Sequence, residues 1–241
     1  MTNDLRNTIA AELLKLRTLP ATLITIAATV LGTVALAIAF AAGREHLGGS
    51  TSAAEAALRV VEYGQIGHIL LGILTVATEY AGSQIRTTLA AVPGRTLLMT
   101  AKAAAYVVTA LPTALLTIAA PLVAALLTPG MRWSGEHTGA LFGAGSYLVL
   151  IGLLGYAVAA LIRNLIAALV TMLSLVLVIP PLLAGVTSLA GYLPGQAGMR
   201  MYAIGPAPLE SLTSAQGAAT LTAWLALALA IAVASFVKSD A

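Results

Sequence analysis

The chain consists mainly of long apolar runs separated by short polar segments. The runs are continuous and about 20 residues long, which is the length an α-helix needs to cross the hydrocarbon core of a bilayer. A transmembrane β-strand would be about half as long and would alternate apolar and polar positions. The pattern therefore predicts six transmembrane helices, at residues 20–42, 61–78, 103–128, 140–162, 165–189 and 218–237.

The composition places most of this chain in lipid. Of its 241 residues, 59% are hydrophobic and 9% are charged, whereas a soluble domain has about 25% charged residues. In lipid every backbone N–H and C=O must be paired internally, which long apolar segments achieve as helices. We therefore predict an all-α integral membrane protein, with one membrane domain over residues 20–237. The sequence pI of about 9.4 does not indicate nucleic-acid binding, because the basic residues are scattered between apolar runs.

Residues 1–19 are predicted to form an amphipathic helix that lies in the membrane interface. At 100° per residue its leucines and isoleucine share an arc of about 120°; they are Leu5, Ile9, Leu13, Leu16 and Leu19. Glu12 interrupts this arc, and Lys15 is close enough along the helix to pair with it. Two interpretations are open. The helix is a membrane anchor whose charges, including Arg17, are solvated, or Glu12 contacts a cytoplasmic partner or the next loop.

The distribution of Lys and Arg predicts the orientation. One set of connecting segments carries eight of these residues, namely Arg6, Lys15, Arg17, Arg86, Arg95, Lys102, Arg163 and Lys238. The opposite set carries four, namely Arg44, Arg59, Arg132 and Arg200. Cytoplasmic loops carry the excess of positive charge. The first set is therefore predicted to be cytoplasmic, with both termini on that side.

The second predicted span carries a polar stripe. Gln65, His68, Gly72, Thr75 and Glu79 are spaced 3, 4, 3 and 4 residues apart, so they share one helix face. Polar groups within a membrane are costly, so this face should avoid lipid. It is predicted to face another helix, a dimer partner or a water-filled path. The histidine could bind substrate, relay a proton or form a structural hydrogen bond.

Proline and glycine mark further features of the spans. Pro112, Pro121 and the Pro180–Pro181 pair are predicted to kink the third and fifth spans, because each proline removes a helical hydrogen bond. Small residues in the fourth span allow close helix approach; they are Gly139, Gly143, Gly145, Gly152 and Gly155. Packing within the chain is favoured over a dimer seam. Residues 192–216, rich in Pro and Gly, are predicted to be non-helical, either a re-entrant element or an outer loop.

Catalytic and metal-binding motifs are absent from the sequence. There is no GxxxxGK[ST] phosphate loop and no HExxH, and cysteine does not occur. The three histidines, His46, His68 and His137, have no metal-ligand spacing. We therefore expect no enzyme activity, metal or cofactor in this chain by itself.

The inner loop, residues 79–102, and the N-terminal segment together resemble the permease family of type-2 ATP-binding-cassette (ABC) exporters. The segment from Glu12 to Arg17 is similar to the elbow helix of that family. Glu79, Gly82, Ser83 and Ile85 resemble its signature at the end of the second span. The string from Arg86 through Leu89 to Pro93, with Arg95 and Lys102, is similar to its inner loop.

The resemblance implies a mechanism with several subunits. Two permease subunits, identical or related, would form the pathway, and two separate cytoplasmic ATPase subunits would bind ATP and Mg²⁺. The implied ATPase-coupling residues are Glu79, Gly82, Ser83, Ile85, Arg86 and Leu89. Gln65, His68 and Thr75 would line the substrate path. The substrate would be a hydrophobic or amphipathic drug, peptide antibiotic or lipid-like compound, exported across a bacterial plasma membrane.

Two other classes of protein remain open on the sequence. A self-sufficient secondary transporter or channel is typically built from internal repeats, and its intramembrane acids mark an ion path; neither is evident. A non-transporting membrane protein that binds a toxin or another partner is also compatible with the pattern. Co-purification with an ATPase distinguishes the exporter from both.

Overall fold

The computed structural model of the chain describes residues 2–43, 52–81, 94–133, 135–205 and 212–238. Its α-helices are α1 (Thr2–Thr18), α2 (Pro20–Ala42), α3 (Ala53–Arg59), α4 (Val61–Ala81), α5 (Arg95–Leu126), α6 (Thr138–Ile162), α7 (Leu165–Leu173), α8 (Ile179–Ala184), α9 (Pro194–Met199) and α10 (Ser214–Lys238). Two 3₁₀ turns, Gly135–His137 and Ser188–Tyr192, and a π-helical turn, Ser174–Val178, complete the regular structure. Within these ranges the β-type pairing is an isolated bridge between Ser52 and Arg132.

The long helices have the length and composition of membrane spans. Among the described residues, five segments are long and apolar enough to cross a bilayer, and the bent pair α3–α4, which meets at 44°, makes up to six. A helix of about 20 apolar residues matches the hydrocarbon thickness of a bilayer. The described part of the chain is thus an all-α architecture of the multi-pass membrane class.

The inner loop is shorter than predicted, because helices extend into it from both sides. Helix α4 continues to Ala81 rather than ending at residue 78, and α5 begins at Arg95 rather than at residue 103. Glu79 and Lys102 therefore lie on helices and not in a loop. The hydropathy pattern underestimated the lengths of both helices, because their terminal turns carry charged residues. These turns are stabilised by ion pairs rather than by lipid.

The fifth predicted span, residues 165–189, is not one regular helix. Helix α7 ends at Leu173, and the chain passes through the π-helical turn into α8, which ends at Ala184. Proline cannot donate a backbone hydrogen bond, so Pro180 and Pro181 interrupt the α-helical register at this point. In contrast, α5 continues as one helix through Pro112 and Pro121.

The prediction that residues 192–216 contain no helix is wrong for α9. Pro194 occupies its first turn, where no backbone donor is needed. Two of its glycines allow close packing: a methyl group at Gly195 would press against Val176, and one at Gly198 would overlap the ring of Tyr147. Helix α9 thus packs against α6, α10 and the π-helical turn. Residues 206–211 lie outside the described ranges.

Helices α4 and α6 form the centre of the molecule, where their backbones touch. A methyl group at Gly72 would overlap the carbonyl of Gly152, and a methyl group at Gly152 would overlap the carbonyl of His68 and the hydroxyl of Tyr106. A methyl group at Gly155 would lie 2.9 Å from the carbonyl oxygen of Ile69, whereas a methyl group at Gly139 would meet nothing within 4 Å. Small residues permit this approach of two helices in a membrane. The predicted packing role within the chain is confirmed for Gly152 and Gly155.

The remaining helices surround this pair. Helix α5 packs against α2, α4 and α6, while α10 packs against α6 and α9. Helix α1 lies against α5, next to the end of α4 and the start of α5, and we call this side of the molecule the α1 end. Helices α3 and α9 lie at the opposite side, which we call the α3 end.

Candidate functional site

Four charged residues from three helices form an ion-pair cluster at the α1 end. The Lys102 Nζ on α5 lies 2.8 Å from Glu12 Oε2 on α1 and 2.8 Å from Glu79 Oε1 on α4. The Lys15 Nζ on α1 lies 2.5 Å from the same Glu79 oxygen. The cluster therefore joins α1, α4 and α5, with Lys102 shared between two carboxylates and Glu79 shared between two ammonium groups.

The spacing of residues on α1 explains how Glu12 reaches this cluster. Thr8, Glu12 and Leu16 follow one another at intervals of four, so they form one helix face. All three are buried, with exposed fractions of 9%, 6% and 3%, and this face packs on α5. The packed face of α1 thus includes the acid that interrupts its apolar arc.

The predicted pairing of Glu12 with Lys15 is wrong. Each residue pairs with a different helix, Glu12 with Lys102 and Lys15 with Glu79. The interpretation in which all charges of α1 are solvated is also wrong, because Glu12 is buried. Arg17, the third charged residue of the predicted elbow helix, is exposed. The partner of Glu12 is a helix of the same chain, which sequence spacing alone did not indicate.

The cluster balances two carboxylates with two ammonium groups in a mostly buried place. The side chains of Glu12, Glu79 and Lys102 have exposed fractions of 8%, 1% and 5%, while Lys15 is 28% exposed. Burying charges is costly unless each is paired and hydrogen-bonded. Removing a single member would leave an uncompensated buried charge. The arrangement therefore makes the relative positions of the three helices interdependent.

Aromatic residues extend the contacts from the cluster to α6. The hydroxyl of Tyr156 donates to the carbonyl of Met99 at 2.8 Å, which joins α6 to the first turns of α5. Arg163 ends α6 in the left-handed conformation, with φ of 56°, and its guanidinium carbon lies 5.9 Å from the ring centre of Tyr80. Such a cation–π contact stabilises the position of a guanidinium over a ring. Tyr80 follows Glu79, so α6 also contacts the end of α4.

The other predicted coupling residues lie beyond this cluster along the chain. Gly82, Ser83, Ile85, Arg86 and Leu89 fall outside the described residues. The described residues on either side of them, Glu79 and Lys102, belong to the cluster. The two helices that precede and follow residues 82–93 in the sequence are therefore the two that the cluster joins to α1.

The polar stripe of α4 is buried within the chain, against α6 at Gln65, His68 and Gly72 and against α1 and α5 at Glu79. Gln65, His68, Thr75 and Glu79 have exposed fractions of 2%, 0%, 2% and 1%. The hydroxyl of Tyr147 on α6 donates to the Gln65 carboxamide oxygen. Thr75 donates to the Leu71 carbonyl at 2.9 Å. Of the three alternatives for this face, the structure places another helix of the chain there.

The predicted path residues do not share one environment. His68 Nδ1 lies 3.1 Å from the Gly64 carbonyl of its own helix, and its Nε2 has no hydrogen-bond partner among the described residues. His68 and Thr75 are enclosed between helices, whereas Gln65 lines a cavity of about 410 Å³ at the α3 end. Neither Tyr147 nor the cavity is predictable from the sequence pattern, because a tyrosine within an apolar span carries no distinguishing periodicity.

The fold and the cluster define a class of protein: an all-α, multi-pass membrane protein whose charged residues at one end join three helices. Among the described residues no group of three or more His, Cys, Asp or Glu side chains could hold a metal ion. No model of a known protein family and no curated protein gives a significant match to the chain.

Proposed function

We propose that the chain is the membrane-spanning permease subunit of an ATP-driven exporter in a bacterial plasma membrane. In this proposal α2, the α3–α4 pair, α5, α6, the α7–α8 pair and α10 are the six spans, and α1 lies in the interface. Both termini and the α1 end face the cytoplasm, as the excess of Lys and Arg there favours. Two such subunits, identical or related, would assemble around the pathway.

One observation carries the proposal: the ion-pair cluster joins α1 to both helices that flank residues 82–93. If a cytoplasmic ATPase docks on those residues, its movement is transmitted through Glu79 and Lys102 to α4, α5 and α1 at once. Coupling of this kind requires a rigid contact that biases an element with two discrete states. The partner subunits would bind ATP and Mg²⁺, and this chain would supply the moving helices.

The substrate class in this proposal is a hydrophobic or amphipathic compound, such as a drug, a peptide antibiotic or a lipid-like molecule. The apolar composition of the helices supports entry of such compounds from the membrane. Gln65 would be accessible to a substrate at the α3 end, since it lines a cavity there. His68 and Thr75 would reach the substrate only after α4 separates from the helices packed around it, because both residues are buried.

Co-purification tests the proposal directly. The tagged chain is purified from its native cells in a mild detergent, and the bound proteins are identified by mass spectrometry. A stoichiometric P-loop ATPase is expected, and Arg86→Glu is expected to release it. The matched control, Arg132→Glu, reverses a charge in an exposed residue at the opposite end and is expected to retain the ATPase. Purification of the chain alone under several gentle conditions would contradict the proposal and favour a stand-alone transporter or a ligand-sequestering protein.

Export measured at equal membrane content tests the coupling role of Glu79. Glu79→Gln keeps the shape and one acceptor but removes the charge shared by Lys15 and Lys102. Because site-to-site coupling is typically worth about 5-fold or more, we expect export to fall by at least about fivefold. Unchanged export in this variant, with normal insertion, would remove the coupling assignment from the cluster.

A further inference from the structure

Two adjoining cavities open at the α3 end. The larger, of about 570 Å³, lies between α3 and the segment from Gln196 to Ile204. The smaller, of about 410 Å³, lies among α4, the π-helical turn with α8, and α9. Gln196, Met199 and Arg200 line both, so the two spaces share a wall. Each volume is within the range of small-molecule sites.

Charges of both signs face these cavities without pairing with one another. Glu62 and Arg200 line the smaller cavity, and Arg59 lines the larger one with Glu55. Within the described ranges Glu55 lies 3.5 Å from His137, while Glu62, Arg59 and Arg200 form no salt bridge. Opposite charges that line one cavity but remain apart leave room for a group between them.

Buried polar groups form the back of the same region. Tyr202 is 7% exposed and lines the larger cavity, and its hydroxyl has no hydrogen-bond partner among the described residues. Its ring centre lies 5.4 Å from that of Tyr147, whose hydroxyl is bonded to Gln65. Gln65 itself lines the smaller cavity. A buried hydroxyl without a partner is costly, so a bound group that accepts or donates a hydrogen bond would stabilise this site.

The rest of the lining is apolar. Val176, Leu177, Pro180 and Pro181 form one wall of the smaller cavity, and Leu58 and Ile204 line the larger one. Apolar walls with a few convergent polar groups are typical of sites that bind amphipathic molecules. Val176 and Leu177 belong to the π-helical turn, which the close packing of Gly195 brings against α9.

We infer that the joined cavities bind a zwitterionic amphiphile. Its anionic group is held by Arg200, its ammonium group by Glu62, and its apolar part by the wall around Val176 and Pro180. A purely anionic or cationic ligand would leave one of these two charged residues uncompensated. The same chemistry is found in a phospholipid with an ethanolamine head group and in a small exported amphiphile. The binding of this amphiphile does not depend on the exporter proposal. The further statement that the bound molecule is exported cargo rests on the exporter proposal.

Native mass spectrometry of the purified chain in a non-ionic detergent tests the inference. The probes are lysophosphatidylethanolamine, which is zwitterionic, and lysophosphatidylglycerol with the same acyl chain, which is anionic. We expect the zwitterionic probe to bind at least about tenfold more tightly, since hydrogen bonds to charged groups are among the stronger ones. Glu62→Gln is expected to lower the affinity for the zwitterionic probe only, whereas Arg200→Gln is expected to lower the affinity for both probes. This selective pattern cannot arise from misfolding.

Two exposed residues at the same end provide matched controls. Glu136→Gln and Arg132→Gln remove equal charges, and neither residue lines the two cavities; both variants are expected to bind like the unaltered protein. Equal affinity for the two probes, or an equal loss of binding in all four variants, would overturn the inference.

Mass spectrometry of molecules extracted from the native protein identifies the natural ligand. A phospholipid or another zwitterionic amphiphile would support the inference, and a singly charged amphiphile alone would overturn the inference. Failure to recover an ATPase would count against the exporter proposal and leave this binding result unchanged.

Discussion

A single lysine holds the α1 end together. Lys102 is 4% exposed, an unusual position for an ammonium group on an otherwise apolar helix. Its charge is retained because Glu12 and Glu79 both lie 2.8 Å away. Lys102 is shared between Glu12 and Glu79, and Lys15 supplies the second cation beside Glu79, so no member of the cluster lacks an opposite charge. The four residues therefore act as one unit, and their contributions to stability should not be additive.

Replacement of Lys102 by methionine tests this interdependence. Lys102→Met leaves Glu12 buried without its cation, and removal of one partner of a buried ion pair typically costs about 3–5 kcal/mol. We expect a fall in the free energy of unfolding of that order, seen as a lower melting temperature in detergent.

The control for this prediction is a cation on α1 that the cluster does not include. Arg17→Met removes a cation from an exposed position of α1 and is expected to leave the melting temperature nearly unchanged. Adding Glu12→Gln to Lys102→Met should recover part of the loss, because the buried charge is then removed. Equal melting temperatures for Lys102→Met and Arg17→Met would contradict the interdependence.

At the scale of elements, the crossing of α4 and α6 determines where the polar stripe lies. Gly72 and Gly152 let the two backbones touch, and this contact directs Gln65, His68 and Thr75 into the protein. Larger side chains at these glycines would hold the helices apart. The stripe would then lose the enclosure that compensates for its polarity in a membrane.

Gly152→Ala is expected to destabilise this crossing. The added methyl group would overlap the His68 carbonyl and the Tyr106 hydroxyl, and overpacking typically costs about 1–3 kcal/mol. Gly139→Ala adds the same methyl group to the same helix, where nothing lies within 4 Å. Limited proteolysis and thermal unfolding should distinguish the two variants. A stable Gly152→Ala protein and an unstable Gly139→Ala protein would contradict this account of the crossing.

Periodicity predicted which face of a helix is buried better than it predicted which helix packs against that face. The stripe from Gln65 to Glu79 was predicted to avoid lipid, and it is buried. Which helix covers it depends on Gly152, about 80 residues away in sequence, and hydrophobic patterning carries no information on such distant contacts.

The same limitation explains why the ion pair predicted within α1 is wrong. Spacing along one helix offered Lys15 as the partner of Glu12, but the partner is Lys102 on another helix. The irregular fifth span has a different cause. The Pro180–Pro181 pair indicated an interruption, because neither residue has a backbone N–H to donate, but proline alone does not specify the π-helical turn in which the Ile179 N–H donates to the Ser174 carbonyl.

At the scale of the whole molecule, the number of crossings determines which side each segment faces. The pair α3–α4 counts as one span only if its 44° bend is accommodated within the membrane. With this pair as a span, Arg6 and Glu136 are separated by three crossings and face opposite sides. Without it they are separated by two and face the same side.

Cysteine labelling measures this difference, because the chain contains no cysteine of its own. Arg6→Cys and Glu136→Cys place single thiols at exposed positions. In intact cells a membrane-impermeant maleimide is expected to label Glu136→Cys only, and Arg6→Cys should react after permeabilisation. Labelling of both variants from the same side would exclude α3–α4 as a span.

The dependence of α4 on α6 has a consequence for biosynthesis. The ribosome delivers α4 to the membrane before α5 and α6 exist, and at that stage the α6 residues that cover its polar stripe, such as Tyr147, have not been made. Because polar groups are costly in lipid, we expect α4 to reach its packed position only after about 70 further residues, from Ala81 to Gly152, have been translated, which takes a few seconds or more at bacterial rates. The polar stripe thus links the packing of α4 to the synthesis of α6.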